Sequence, residues 1–117
     1  MLRIRPEQLA VFAQVETQKF EDWTITHLKR FFPRQCATLD APQLRELVRH
    51  GIRRSTVYGI TAKNEVCKYS DLMVVLGRDF DTDSRLSWAG DILNRREDPA
   101  IRVRALQEAA KNHLRRH

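Results

Sequence analysis

The stretch VCKYSDLMVVLG, residues 66–77, decides the fold. Its apolar residues recur at helical spacing and become continuous between Leu72 and Leu76. Thr61 is a suitable cap for the start of this helix, and Gly77 is the residue type that often ends one. Because no other helical segment is as apolar, we expect it to be the central helix of the fold.

Two longer helices are predicted before this segment. The first covers about 6–31: it begins at Pro6, a residue tolerated in a first turn, and its pattern stops before Pro33. The second covers about 41–58, because Asp40 with a glutamine three residues later resembles a capping box and Gly59 suits a helix end.

Two more helices are predicted after residues 78–84, a stretch with no helical stripe that we interpret as a loop. A short helix carries Leu86 to Leu93, and a last one begins at Asp98-Pro99. No segment shows a convincing alternation of period two. The expected fold is therefore all-α, a compact bundle of about five helices in a single domain over residues 1–117, whose basic end 114–117 is expected to fray.

Composition sets the class of protein. Of the 117 residues, 42% are apolar and 31% charged, as in a soluble globular domain. The net charge of +6 favours acidic partners without choosing among protein, nucleic acid and lipid. The two cysteines suit a reducing compartment, and no apolar run approaches the roughly 18 residues that a membrane span needs. We expect a cytoplasmic protein without a membrane segment.

The predicted loop contains three alternating carboxylates, Asp79, Asp81 and Asp83, in the pattern that opens a calcium loop. The glycine and the glutamate that such a loop requires at its sixth and twelfth positions are missing, so we predict no metal site. The favoured interpretation is that Asp81 or Asp83 caps the following helix while Asp79 pairs with Arg78 or another base. An acidic contact point for a partner is the alternative.

A basic stripe is predicted on the second helix, where Arg45, Arg49 and Arg53 are four residues apart. Such a stripe could follow the phosphates of a nucleic acid. Glu46 lies three residues before Arg49, however, and a solvated face with local ion pairs is the commoner arrangement.

No convincing catalytic set is visible. His27 lies on or near the apolar face of the first helix and is predicted to be a core or boundary histidine. Cys67 is predicted to be a buried, inert thiol, since no histidine is near it in sequence, and Cys36 the more exposed cysteine. Phosphate loops and nucleophile elbows are absent. We therefore predict no enzyme activity and no cofactor.

Aromatic residues in and after the loop offer a contact surface. Phe80 lies in the loop among charged residues and Trp88 in the short helix. An exposed aromatic in such surroundings is typical of a binding hot spot, whereas packing of the loop onto the core is the alternative that we favour for Phe80.

The chain also carries a pattern that resembles small helical bacterial proteins encoded near type VI secretion spike and effector genes. The resemblance runs from the end of the first helix to about Leu93 and rests on these stretches: Tyr58-Gly59-Ile60-Thr61, Glu65-Val66-Cys67-Lys68-Tyr69, Asp71-Leu72-Met73, Gly77-Arg78-Asp79-Phe80-Asp81-Thr82-Asp83 and Trp88-Ala89. It implies an accessory that binds a secreted effector or spike component as an adaptor, chaperone or immunity-like partner, and it implies no catalytic residue.

The sequence thus favours a non-catalytic protein-binding module, and a basic nucleic-acid-binding protein is the alternative. A homodimer sealed by an exposed apolar strip is equally compatible with the composition. The candidate contact residues form two surfaces, the arginine stripe and the segment from Arg78 to Trp88: Arg45, Arg49, Arg53, Arg78, Asp79, Phe80, Asp81, Asp83 and Trp88.

Overall fold

A computed structural model describes the backbone of residues 6–116 and the side chains of residues 17–116. No strand forms within 6–116, so the predicted all-α class is confirmed. The helices of this part of the chain are α1 (Pro6–Phe31), α2 (Pro33–Cys36), α3 (Ala41–Val57), α4 (Lys63–Leu76), a 3-10 helix (Ser84–Leu86), α5 (Ser87–Leu93) and α6 (Pro99–Arg116).

Local capping signals set most helix boundaries. The carboxylate of Asp40 accepts a hydrogen bond from the backbone N–H of Gln43 at 2.8 Å, and the Gln43 side chain accepts one from the Asp40 N–H at 2.9 Å. This is the predicted capping box. Gly59 follows the end of α3 with φ of 75°, a conformation that glycine adopts without a Cβ penalty. Both features confirm the boundaries predicted for the second helix.

Three predicted details are wrong or incomplete. Thr61 does not cap α4, because the residue before the helix is Ala62 and no side chain caps its first turn. Pro33 ends α1 as predicted but also opens the short helix α2, since proline is tolerated in a first turn. The basic C-terminal end is helical as far as Arg116, where fraying was predicted; His117 lies outside the described residues.

Helix α4 is the centre of the packing, as its apolar sequence predicts. It contacts α1, α2, α3 and α6, and Tyr69, Leu72 and Met73 are almost fully buried. Each apolar side chain of this size contributes about 1.5–3 kcal/mol when it is buried. Among the described residues, no helix is long and apolar enough to cross a membrane.

Two apolar clusters lie on either side of α4. The larger joins α4, α5 and α6 to the loop after α4 and includes Ile60, Tyr69 and Phe80. The smaller joins α1, α2 and α3 through Leu28 and Val48. Helices α1 and α4 also contact each other directly, and we call this contact the α1–α4 seam.

Candidate functional site

Phe80 is the anchor of the loop after α4. Gly77, with φ of 119°, lets the chain leave the helix, and Phe80 then enters the core with its side chain 1% exposed and its ring centroid 5.0 Å from that of Tyr69. Phe80 is therefore not presented to a partner, and its place among the candidate contact residues is corrected. The favoured alternative, packing of the loop onto the core, is what the structure contains.

Asp81 is also buried, and it closes the loop against α3. One of its carboxylate oxygens, Oδ2, accepts hydrogen bonds from Arg54 Nε at 2.9 Å and from the Tyr58 hydroxyl at 2.8 Å, and it lies 2.7 Å from Arg54 Nη2. The hydrogen bond to Asp81 raises the pKa of the Arg54 guanidinium above its ordinary value. Burial, followed by the hydrogen bond to Asp81, raises the pKa of Tyr58. Asp81 therefore has structural partners and is 6% exposed, which removes it from the surface available to another molecule.

The other two carboxylates of the loop point to different partners. Asp83 accepts a hydrogen bond from the backbone N–H of Arg85 at 2.9 Å and so caps the 3-10 helix, as predicted for Asp81 or Asp83. Asp79 lies 3.0 Å from His50 Nε2, a different base from Arg78. Since each of the three carboxylates has its own partner, the loop does not gather ligands around one cation.

The arginine stripe of α3 is largely neutralised by α1. Arg45 donates to Glu21 at 2.8 Å and also pairs with Asp22, and Arg49 donates to Glu21 at 3.0 Å. Glu21 itself is only 3% exposed. The stripe therefore holds α1 against α3, and its first two members have less positive potential to offer a phosphate backbone.

The remaining basic residues of the predicted surface share one exposed carboxylate. Glu46 accepts a hydrogen bond from Arg53 at 2.9 Å and lies 3.5 Å from Arg78. The hydrogen bond from Arg53 is the main cause of the lowered pKa of Glu46. Glu46, Arg53, Arg78 and Asp79 thus form an exposed, charge-balanced patch. Trp88 is half-buried, with its ring 5.8 Å from that of His113.

A second cluster, at the α1–α4 seam, was missed by the sequence interpretation. His27 Nε2 lies 2.8 Å from Asp71 Oδ1, and one ligand-type atom from each of His27, Cys67 and Asp71 lies within 4.8 Å of the others. Cys67 and Asp71 are four residues apart on α4, so one helical face presents both. That spacing was visible in the sequence, but the approach of His27 depends on the pairing of α1 with α4.

The electrostatics of this cluster follow from its partial burial. Burial raises the pKa of the Asp71 carboxyl, and the nearby His27 opposes this. Burial also raises the pKa of the Cys67 thiol to about 11, so the thiol is protonated near neutral pH. A protonated, buried thiol is a poor nucleophile, and nothing here resembles an activated cysteine.

An exposed row of aromatic rings borders the same cluster on α1. The His27 ring stacks 6.2 Å from that of Trp23 and lies 4.8 Å from that of Phe31. Trp23 is 50% and Phe31 59% exposed, although both are large apolar side chains. We call Trp23, His27 and Phe31 the aromatic row.

Basic side chains accompany the Phe31 end of the aromatic row, one of them in direct contact and two nearby in sequence. The Arg30 guanidinium lies 5.4 Å from the centre of the Phe31 ring, and Lys29 and Arg34 are exposed nearby in sequence. Within residues 17–116, the structure records no acidic partner for these three side chains. The row is therefore an apolar strip next to positive charge.

Comparison of the chain with models of known protein families, with curated proteins and with solved structures finds no match.

Proposed function

We propose that this protein is a non-catalytic binding module for another protein, and that the aromatic row is its main contact surface. The observation that carries the proposal is the exposure of Trp23 and Phe31 on either side of the His27 ring on α1. Tryptophan and arginine are enriched in binding hot spots, and large apolar side chains grouped on a surface are typical of interaction sites.

The chemistry around the aromatic row defines the partner. Lys29, Arg30 and Arg34 add positive charge at one end, and the whole chain carries +6. A partner segment with apolar side chains facing Trp23 and Phe31 and acidic side chains facing these bases complements the surface in both respects. We therefore propose an amphipathic, acidic segment of another protein as the occupant.

The exposed charged patch has a secondary part in this proposal. Arg45 and Arg49 pair with the buried Glu21, whereas Arg53 and Arg78 pair with the exposed Glu46. Arg53, Arg78 and Asp79 are therefore the members that remain as polar rim contacts. The same ion pairs count against the nucleic-acid alternative, because carboxylates within the stripe repel a phosphate backbone.

The type of partner rests on the sequence resemblance described above. It supports a type VI secretion effector or spike component, bound in the cytoplasm by a protein that serves as an adaptor, chaperone or immunity-like factor.

The test has two stages. A tagged chain is first used at moderate salt, after nuclease treatment, to capture partners from the native bacterium, and the leading protein is then purified and titrated by calorimetry. We expect the double variant Trp23→Ala/Phe31→Ala to bind at least about tenfold more weakly, equivalent to about 1.4 kcal/mol. Val57→Ala/Ile101→Ala is the matched control, since both residues are exposed apolar side chains, 65% and 50% exposed, that lie outside the row.

Three results would contradict the proposal. Equal affinity of the row variant and the control would remove the row as the contact surface. Loss of all captured material on nuclease treatment would favour nucleic acid instead. A dimer in light scattering that dissociates in the row variant would show that a second copy of the chain covers the row.

A further inference from the structure

We propose that His27, Cys67 and Asp71 form a three-ligand site for a divalent transition metal ion of the zinc class, with a fourth position open to water or to a donor from a partner. This inference shares His27 with the aromatic row but does not rest on the protein-binding proposal, because metal binding at the α1–α4 seam needs no second protein.

The donor set selects the class of ion. An imidazole nitrogen, a cysteine sulfur and a carboxylate oxygen are the three kinds of ligand that zinc accepts. The Cys67 thiol is protonated without metal, so the ion must displace its proton to solvent on binding, and the resulting thiolate favours zinc and similar borderline or soft ions. Calcium and magnesium prefer oxygen ligands alone, so this combination disfavours them. The three carboxylates of the 78–84 loop, by contrast, each have a separate partner.

The spacing of the three ligand atoms is close to that around a bound ion. The three atoms lie within 4.8 Å of one another, and His27 Nε2 is 2.8 Å from Asp71 Oδ1. Ligands bound tetrahedrally at zinc distances lie about 3.3–3.6 Å from one another. The His27–Asp71 hydrogen bond must therefore open slightly, and the more distant ligand atoms must move inward, when the ion binds.

The surroundings hold the ligands in place. Cys67 and Asp71 share one face of α4, and the His27 ring is packed between Trp23 and Phe31, which restrict its orientation. Cys67 is 4% exposed, whereas the side chains of His27 and Asp71 are each 24% exposed. The site thus has a buried sulfur on one side and an opening to solvent on the other, as in zinc sites with three protein ligands and a water molecule.

Cobalt is the sharpest probe, because tetrahedral Co²⁺ with a thiolate ligand gives a near-ultraviolet charge-transfer band and strong visible bands. The full chain, reduced and freed of metal with a chelator, is titrated with Co²⁺ and then with Zn²⁺. We expect one equivalent of Co²⁺ to produce both bands and Zn²⁺ to remove them by displacement. Zn²⁺ alone is expected to raise the Tm, since an ion that binds only the folded state stabilises it.

The variants separate a site from adventitious binding. Cys67→Ser should abolish the charge-transfer band, and His27→Gln or Asp71→Asn should weaken Co²⁺ binding at least about a hundredfold, because even outer-shell partners change affinity 10–100-fold. Cys36→Ser is the matched control, a second buried cysteine outside the cluster, and should bind as the parent does. Circular dichroism of each variant without metal verifies the fold. If Cys67→Ser unfolds, the variants His27→Gln and Asp71→Asn, at partly exposed positions, still decide the test.

The proposal is overturned if one equivalent of Co²⁺ gives no charge-transfer band. It is also overturned if the band persists in Cys67→Ser, or if His27→Gln and Asp71→Asn fold normally and bind Co²⁺ as tightly as the parent chain does.

Discussion

Asp81 and Asp71 are both buried or half-buried carboxylates with a hydrogen-bonding nitrogen side chain beside them, Arg54 and His27 respectively, yet their surroundings differ. Asp81 lies in a junction closed by the chain itself, where Arg54 of α3 and Tyr58 just after α3 donate to it and its side chain is 1% exposed. Asp71 has His27 and the Cys67 thiol beside it and remains 24% exposed. A buried carboxylate whose Oδ2 accepts from two side chains of its own chain is expected to hold the loop in place, although its Oδ1 has no hydrogen-bond partner. A carboxylate among several ligand atoms at an opening can instead bind something else.

The largest expected effect comes from removing the anchor that holds the Asp81 junction together. Phe80→Ala should lower the free energy of unfolding by about 3–5 kcal/mol, because it leaves a cavity beneath the loop. Phe31→Ala is the matched change in the aromatic row and should stay within about 0.5 kcal/mol, since that ring is 59% exposed. Urea denaturation of both variants measures the difference.

Equal losses for the two phenylalanines would contradict the assignment of Phe80 to the core and of Phe31 to the surface. A large loss at Phe31 alone would show that the aromatic row is covered in solution, for example by another copy of the chain.

The sequence predicted most helices because their boundaries depend on local chemistry. The capping box at Asp40, the glycine at Gly59 and the proline that begins α6 each act within one helical turn, so neighbours in sequence are enough. The start of α4 at Lys63 has no side-chain cap, and the prediction there was accordingly wrong. Helix ends with a local capping signal were therefore predicted correctly, and the helix start without one was not.

The candidate sites were harder to predict because their partners are distant in sequence. The sequence favoured a solvated face with local ion pairs around Glu46 and Arg49, but Arg49 pairs with Glu21 of α1, and Glu46 pairs with Arg53 and Arg78. The approach of His27 to Cys67 and Asp71 likewise depends on how α1 and α4 pack. Spacing on one helix identifies which side chains share a face, but the element opposite that face is decided by tertiary packing.

A smaller effect is expected from opening the Asp81 junction at either of its charges. Arg54→Met leaves a carboxylate buried with Tyr58 as its remaining donor and should lower the free energy of unfolding by about 2–4 kcal/mol. Asp81→Asn leaves a guanidinium that is 30% exposed and can be hydrated, so about 1–2 kcal/mol is expected. Both values come from denaturant unfolding near neutral pH.

The order of these two losses is the informative result. A greater loss for Asp81→Asn than for Arg54→Met would mean that Asp81 is better solvated than its 1% side-chain exposure indicates. The junction would then resemble the open cluster at Asp71, and the contrast between the two carboxylates would disappear.

The smallest expected effect is a change in the pKa of Glu46, the exposed carboxylate that pairs with Arg53 and Arg78. Its pKa is lowered in the folded chain, first by the hydrogen bond from Arg53 and less by Arg78. A lowered folded pKa contributes stability that is present above the ordinary glutamate pKa and is lost as pH falls through the folded value. Arg53→Ala should therefore raise the Glu46 pKa toward its ordinary value, as followed by carboxyl NMR during an acid titration.

Two other arginine variants serve as controls for this titration. Arg78→Ala should raise the Glu46 pKa less than Arg53→Ala does, because its contact with the carboxylate is longer, 3.5 Å against 2.9 Å. Arg85→Ala removes an arginine whose recorded partner is Asp83 and should leave Glu46 unchanged. If Arg53→Ala leaves the Glu46 pKa where it was, the patch is not held together in solution. Its arginines would then be free to serve as rim contacts without first breaking an ion pair. Glu46 would also differ from Asp71 and Asp81, because it would have no fixed partner.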